Sequence, residues 1–306
     1  MTNYLLADAN LDTTIRVRRE PKPQYTGEEI VIPLISVGKL LIIEAEIDSL
    51  VGNFIFDTGA PCLVLNRTYF RNYNQVEGYY ASGINGKMGE AQSADVGKLS
   101  FRGINYENID ADVADLSQIE NARNIKILGL MGLNLFKSFE IEIDLRQSIL
   151  RLKSCDKKGE PIKASNTNYD LVNPLTIYDN TLFTNCEIAG KKLVFGFDTG
   201  AEINALDIES GDAILSTIRI TGRSTLTGTG TETVEIILGR LNDFKIGKLE
   251  LLGMLTIITK LEDISDAYGR KLDGVLGYDF LARGRVKINV RKKELSFALY
   301  DNFSNE

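Results

Sequence analysis

Two tetrapeptides in this chain can do acid–base chemistry, and they are identical. Asp57-Thr58-Gly59-Ala60 ends the stretch NFIFDTGA, and Asp198-Thr199-Gly200-Ala201 ends LVFGFDTGA. In each, a single carboxylate closes a run of large apolar residues, where a buried charge is costly unless something compensates it. One such aspartate is an oddity; two in matching settings point to two halves of one site. If the halves meet, two carboxylates about 3 Å apart cannot both ionise and share a proton. Such a pair is a general base and a general acid at once, able to deprotonate a water while polarising a carbonyl. Thr58 and Thr199 carry hydroxyls that can bond to the opposite loop, and Gly59 and Gly200 allow a tight turn and a close approach.

The absence of histidine narrows the alternatives. It removes Ser-His-Asp and Cys-His catalysis, histidine-ligated zinc and an imidazole base. Cys62, Cys155 and Cys186 are too few and too scattered for a disulfide framework or a thiolate metal site. Cys62, close behind Asp57, reads as a small buried strand residue, since nothing is present to activate a thiol. The dyad chemistry calls for neither metal nor other cofactor.

The elements that position the two loops repeat. Shifted by 141 positions, residues 30–66 fall on 171–207 without a gap, so that Phe54 and Phe56 meet Phe195 and Phe197. A second block matches at an offset of 145: Leu130-Met131-Gly132 meets Val275-Leu276-Gly277, and Ile141–Leu152 meets Val286–Phe297. The matching tail pairs Gly132, rather than Gly129, with Gly277. The chain therefore reads as an N-terminal extension (1–29), a first lobe (30–160) and a second lobe (161–306), joined through a polar segment near 155–168. Within each lobe, short alternating and apolar runs broken at turn residues predict strands. Short helices are expected near Leu116–Arg123, Leu133–Lys137 and Tyr278–Arg283. The expected fold is all-β, two homologous lobes with a cleft between them.

These features resemble the pepsin/retropepsin aspartic proteases in their single-chain, bilobal form. The resemblance rests on Phe56–Ala60 and Phe197–Ala201, each followed by an apolar pair and glycine, and it implies acid-protease β-barrel lobes. It implies Asp57 and Asp198 as the catalytic pair, with Thr58, Gly59, Thr199 and Gly200 in support, and a peptide or protein as substrate. It further implies that a hairpin in each lobe closes over bound peptide. In the first lobe this is GYYASGINGKMGEAQ, with a two-residue turn at Asn85-Gly86 and with Tyr79 or Tyr80, as well as Gly59 and Gly200, touching substrate. In the second lobe it is ITGRSTLTGTGTETVEI. Ala60 and Ala201 stand where the pepsin type has a hydroxyl residue, which implies a higher dyad pKa and a less acidic pH optimum.

Other functions fit less well. With 306 residues, 43% hydrophobic and 25% charged, the composition is that of an ordinary globular protein, and a net charge of −7 argues against nucleic acid or anionic membrane as partner. No apolar stretch is long enough to span a membrane, and no leader is visible. The expected compartment is cytoplasmic if the sequence is complete, and exported if a leader has been trimmed. Both aspartates lie in one chain, so a monomer suffices for activity. Arg16–Glu20 and Cys155–Gly159 read as solvated loops, as do Asp110, Asp112 and Asp115, whose spacing only loosely resembles a calcium loop. Asp144 and Asn289 read as turn or structural residues. Residues 227–233 lack the lysine and helix of a phosphate loop. A catalytically silent peptide-binding module is the alternative to the protease, and glycoside hydrolysis by two carboxylates a more distant one.

Overall fold

The computed structural model describes residues 19–71, 73, 75–83, 86–164, 167–227 and 233–301, by backbone alone at 75–83, 86–92, 225–227, 233–235 and 267. Strands dominate it, and they form two sheets. One has eight strands in the order 35–37, 40–47, 50–56, 127–131, 63–66, 104–114, 86–101 and 75–83, all from the first lobe. The other has fifteen. It begins with strands 29–33, 149–154 and 139–144, continues through 284–289, 294–299 and 171–178, and ends in the second lobe's own strands.

The lobes are joined by pairing. Glu140, Ile141, Glu142 and Ile143 lie antiparallel to Asn289, Ile288, Lys287 and Val286. Under the 145-residue offset, Glu142 faces its own counterpart Lys287, and Ile141 and Ile143 each face the other's counterpart, as a local two-fold requires. Along this ribbon Ile141, Ile143, Val286 and Ile288 are buried, and the charges Glu140 and Glu142 pair with Lys287 and Arg151. Period-two alternation thus supplies an apolar face toward the core and an ion-paired face opposite.

Each lobe also holds a small apolar cluster of its own. In the first it contains Ile42, Ala60, Val64, Leu116 and Leu130; in the second, Phe183, Ala201, Ala205, Leu261 and Val275. These ten residues are five matching pairs, and both clusters lie between an Asp-Thr-Gly loop and a short helix. The helices are Ser117–Arg123 and Glu262–Ala267. The first was expected, as were the 3-10 turn Leu133–Phe136 and the helix Tyr278–Leu281. The helix Glu262–Ala267 was not. Its signal was available, because LEDISDAYG (261–269) aligns with LSQIENARN (116–124) at the same offset.

Several expectations need correction. Asp110 and Asp112 do not lie in a solvated loop but on the strand Ile104–Ala114. Asp110 is buried and accepts hydrogen bonds from the backbone and guanidinium of Arg19. Arg19 is therefore tied to the first lobe while its side chain stays exposed to solvent. Cys62 is buried, one residue short of the strand Leu63–Asn66, and its thiol faces Asp112. Residues 19–28 take partners on Asn105 and Ser154, away from either Asp-Thr-Gly loop. Asp144 and Asn289 do hold turns, accepting from the backbone N–H of Gln147 and Lys292. Among the described residues, no helix is long and apolar enough to cross a membrane.

Candidate active site

Each Asp-Thr-Gly loop leaves the end of a buried strand. Leu50–Phe56 runs parallel to Ile127–Met131, and Lys191–Phe197 runs parallel to Gly274–Leu276. The aspartate that follows donates its backbone N–H to the neighbouring strand: Asp57 to the Met131 carbonyl at 3.1 Å, Asp198 to that of Leu276 at 3.0 Å. The apolar-apolar-Gly block is thus the shelf on which the loop rests. Its glycine is required by space. A Cβ on Gly132 would sit 2.2 Å from the Cys62 carbonyl oxygen and 2.6 Å from that of Ala60; on Gly277 it would sit 2.4 Å from that of Ala201. Phe56 packs edge-on against Phe136 at 5.0 Å and Phe197 against Phe280 at 6.2 Å, which anchors each strand end to the short helix behind it.

The two loops lock together through their threonines. Thr58 N–H donates to the Thr199 hydroxyl at 2.9 Å and Thr199 N–H to the Thr58 hydroxyl at 3.0 Å. Each hydroxyl donates onward to a carbonyl of the other lobe, Thr58 to Phe197 at 3.1 Å and Thr199 to Phe56 at 2.8 Å. Both threonines are fully buried. Four closed hydrogen bonds without water leave little freedom in how the loops face each other.

That lock brings Asp57 and Asp198 side by side. Each carboxyl group lies against the glycine of the opposite loop, and each also accepts from its own loop. The Asp57 Oδ1 takes Gly59 N–H at 2.9 Å and Ala60 N–H at 3.2 Å; the Asp198 Oδ1 takes Gly200 N–H at 2.8 Å. Gly59 and Gly200 make the approach possible, since a Cβ on either would fall within 2.7 Å of the opposite aspartate's Cγ. Burial, and then the adjacent Asp198 charge, push Asp57 well above the usual carboxylate range. Burial raises Asp198 as well, opposed by the hydrogen bonds it accepts. The pair is therefore built to hold a proton where two isolated aspartates would hold none.

The lobes also meet at the rim of the site, differently on its two sides. On one side Glu202, directly after the second DTGA, pairs with Arg123 of the first lobe and accepts from Lys39 N–H at 3.3 Å. On the other, Tyr268 reaches from the second lobe to the Gly59 carbonyl, donating at 3.4 Å. Neither contact was foreseen from the sequence. The first-lobe hairpin consists of strands Gln75–Gly83 and Gly86–Phe101, and it approaches the second-lobe helix Glu262–Ala267. Gly83 pairs with Gly86, and the expected turn at Asn85-Gly86 falls partly outside the described residues. Residues 84 and 85 and the side chains of Tyr79 and Tyr80 lie outside what the structure describes. In the second lobe the hairpin strands are Ile218–Thr227 and Thr233–Leu241, with 228–232 likewise outside.

Two facing Asp-Thr-Gly loops thus stand on an all-β, two-lobed scaffold. Residues 184–280, which contain Asp198 and the Val275-Leu276-Gly277 block, match the family model described as Aspartyl protease. No curated protein matches the chain.

Proposed function

We propose that the chain is an aspartic endopeptidase in which Asp57 and Asp198 act as one proton-sharing dyad. The observation that carries this reading is the Thr58–Thr199 lock, which sets each aspartate's carboxyl against the opposite loop's glycine. With Oδ1 of each aspartate tied to its own loop, the outer oxygens are left to a water and to the carbonyl of a peptide bond. The ionised member takes a proton from the water as it attacks. The protonated member donates to the carbonyl oxygen, and the roles exchange as the tetrahedral intermediate collapses and the amine leaves. The starting proton belongs to the pair rather than to either member. Both halves of the dyad lie in one chain, so a monomer is sufficient. The first-lobe hairpin, near the opposite lobe's helix, is suited to cover a bound peptide and exclude water.

The silent binding module is disfavoured because it would carry two mutually repelling carboxylates to no purpose. Glycoside hydrolysis calls for carboxyl groups at least about 5 Å apart, which disfavours it for two carboxyls that each lie against the opposite loop's glycine. The test is cleavage of an unfolded protein or a mixed peptide library between about pH 3 and about pH 7, with wild type, Asp57→Asn and a pepstatin-type inhibitor. Cleavage lost in both the variant and the inhibited sample supports the dyad. Intact substrate at every pH with the wild type sinks the protease and leaves the binding module.

A further inference from the structure

Tyr268 is a partly buried phenol beside the dyad with no part in the chemistry described above. It follows the helix Glu262–Ala267, and its ring packs edge-on against Phe183 with centroids 5.8 Å apart. Its hydroxyl donates to the carbonyl of Gly59, across the lobe boundary. That carbonyl belongs to the Gly59–Ala60 peptide, whose other end, Ala60 N–H, donates to Asp57 Oδ1. A chain of two hydrogen bonds through one peptide unit therefore runs from the phenol to the carboxyl group. Withdrawing electron density at a carbonyl oxygen makes the N–H of the same peptide a better donor.

We propose that Tyr268 is a positioning residue for the dyad, acting from the second lobe through the Gly59–Ala60 peptide to strengthen the hydrogen bond that Asp57 accepts. The arrangement is one-sided. Aligning 116–124 with 261–269 sets Arg123 opposite Tyr268. Arg123 does not reproduce the contact but turns to Glu202, and the first-lobe residue matching Glu202 is Pro61, which offers no carboxylate. The two halves of the site thus differ chemically although their Asp-Thr-Gly loops are alike. The charges that bear on the phenol are the two aspartates; Glu262, Asp263 and Asp266 lie on the helix before it, Arg270 sits over the Phe183 ring, and Arg123, Glu202 and Lys39 stand at the opposite rim. Asp57 and Asp198 both oppose ionisation of the phenol, which burial already pushes far up, so Tyr268 acts as a neutral donor.

The inference rests on the dyad reading, and its test is separable from turnover. Carboxyl 13C resonances of the aspartates are titrated in wild type, Tyr268→Phe and Tyr268→Leu, with Arg123→Ala as a control that loosens the other rim. Losing a donor to the ionised form raises the apparent pKa values of the pair. An upward shift of about 0.3 pH unit is expected in both Tyr268 variants, small because the effect passes through one peptide and a long contact. The control is expected to shift less. Superimposable titrations in wild type and Tyr268→Phe overturn the inference, as does an equal shift in Arg123→Ala. If the wild type cleaves nothing while the titrations still separate, the proteolytic reading fails and the role of Tyr268 stands.

Discussion

Thr58 and Thr199 each give a backbone N–H to the other's hydroxyl and pass a hydroxyl proton on to the strand end of the opposite lobe. The bond network is closed and buried, so removing one hydroxyl strands two partners rather than one. Thr58→Val leaves the Thr199 N–H and the Phe197 carbonyl unsatisfied at nearly unchanged volume. A loss of about 1–3 kcal/mol is expected, with Thr58→Ser recovering most of it. Denaturant unfolding of the two variants checks this, and equal stability of valine and serine variants would contradict the lock.

Asp57→Asn is expected to abolish cleavage, and it also has a consequence for stability that needs no substrate. The folded pKa of Asp57 is raised, so the folded state holds a proton that the unfolded chain releases. Stability from this source is complete below the unfolded carboxylate value of about 3.9 and is lost as the pH rises through the raised folded value. Asparagine removes that loss. Asp57→Asn should therefore melt above wild type near neutral pH, with the gap closing toward about pH 3.5. A gap that widens on acidification would refute the shared proton.

The glycine of the supporting block should tolerate no side chain. Gly132→Ala would press a methyl into the Cys62 and Ala60 carbonyls, and both are backbone atoms that cannot rotate away. A destabilisation of about 1–3 kcal/mol is expected. A fall in kcat should accompany it, because Ala60 belongs to the catalytic loop. Gly129→Ala also clashes, with the Val64 carbonyl at 2.2 Å. It does so one turn away from the loop, so its cost should fall on stability more than on kcat. Unfolding and steady-state kinetics on the two variants separate these effects.

The Arg123–Glu202 pair is partly exposed, at 34% and 28%. Screening limits what such a pair contributes, so Arg123→Ala should cost no more than about 1 kcal/mol, and less in high salt. A double-mutant cycle with Glu202→Gln at low and high ionic strength measures the coupling. A coupling that salt leaves untouched would show a desolvated latch instead.

The dyad also predicts a pH profile. Burial opposes charge on both aspartates, and Ala60 and Ala201 supply no hydroxyl to the ionised oxygen. Activity should peak at a less acidic pH than that of pepsin-type enzymes. Substituting Ala60→Ser should move the acidic limb downward, and a limb that stays in place would count against this account.

Much of this was legible in the chain itself. The repeated DTGA, the Gly132 and Gly277 blocks and the alternating strands after them are short patterns whose physics is local: a strand end, a loop, a glycine where backbones touch. Periodicity likewise predicted an all-β fold, and the two-copy register located both aspartates. Asp110 and Asp112 were misread because their spacing suits a loop, whereas strand pairing and the guanidinium of Arg19 carry the burial. The helix Glu262–Ala267 was missed because six residues give too little periodicity on their own. What only the tertiary structure decided is how the copies differ. Whether Tyr268 reaches Gly59 while its counterpart Arg123 turns to Glu202 depends on distances across the lobe boundary, between residues more than seventy positions apart. No local pattern encodes such a distance; it is set when the two lobes pair along Ile141–Ile288.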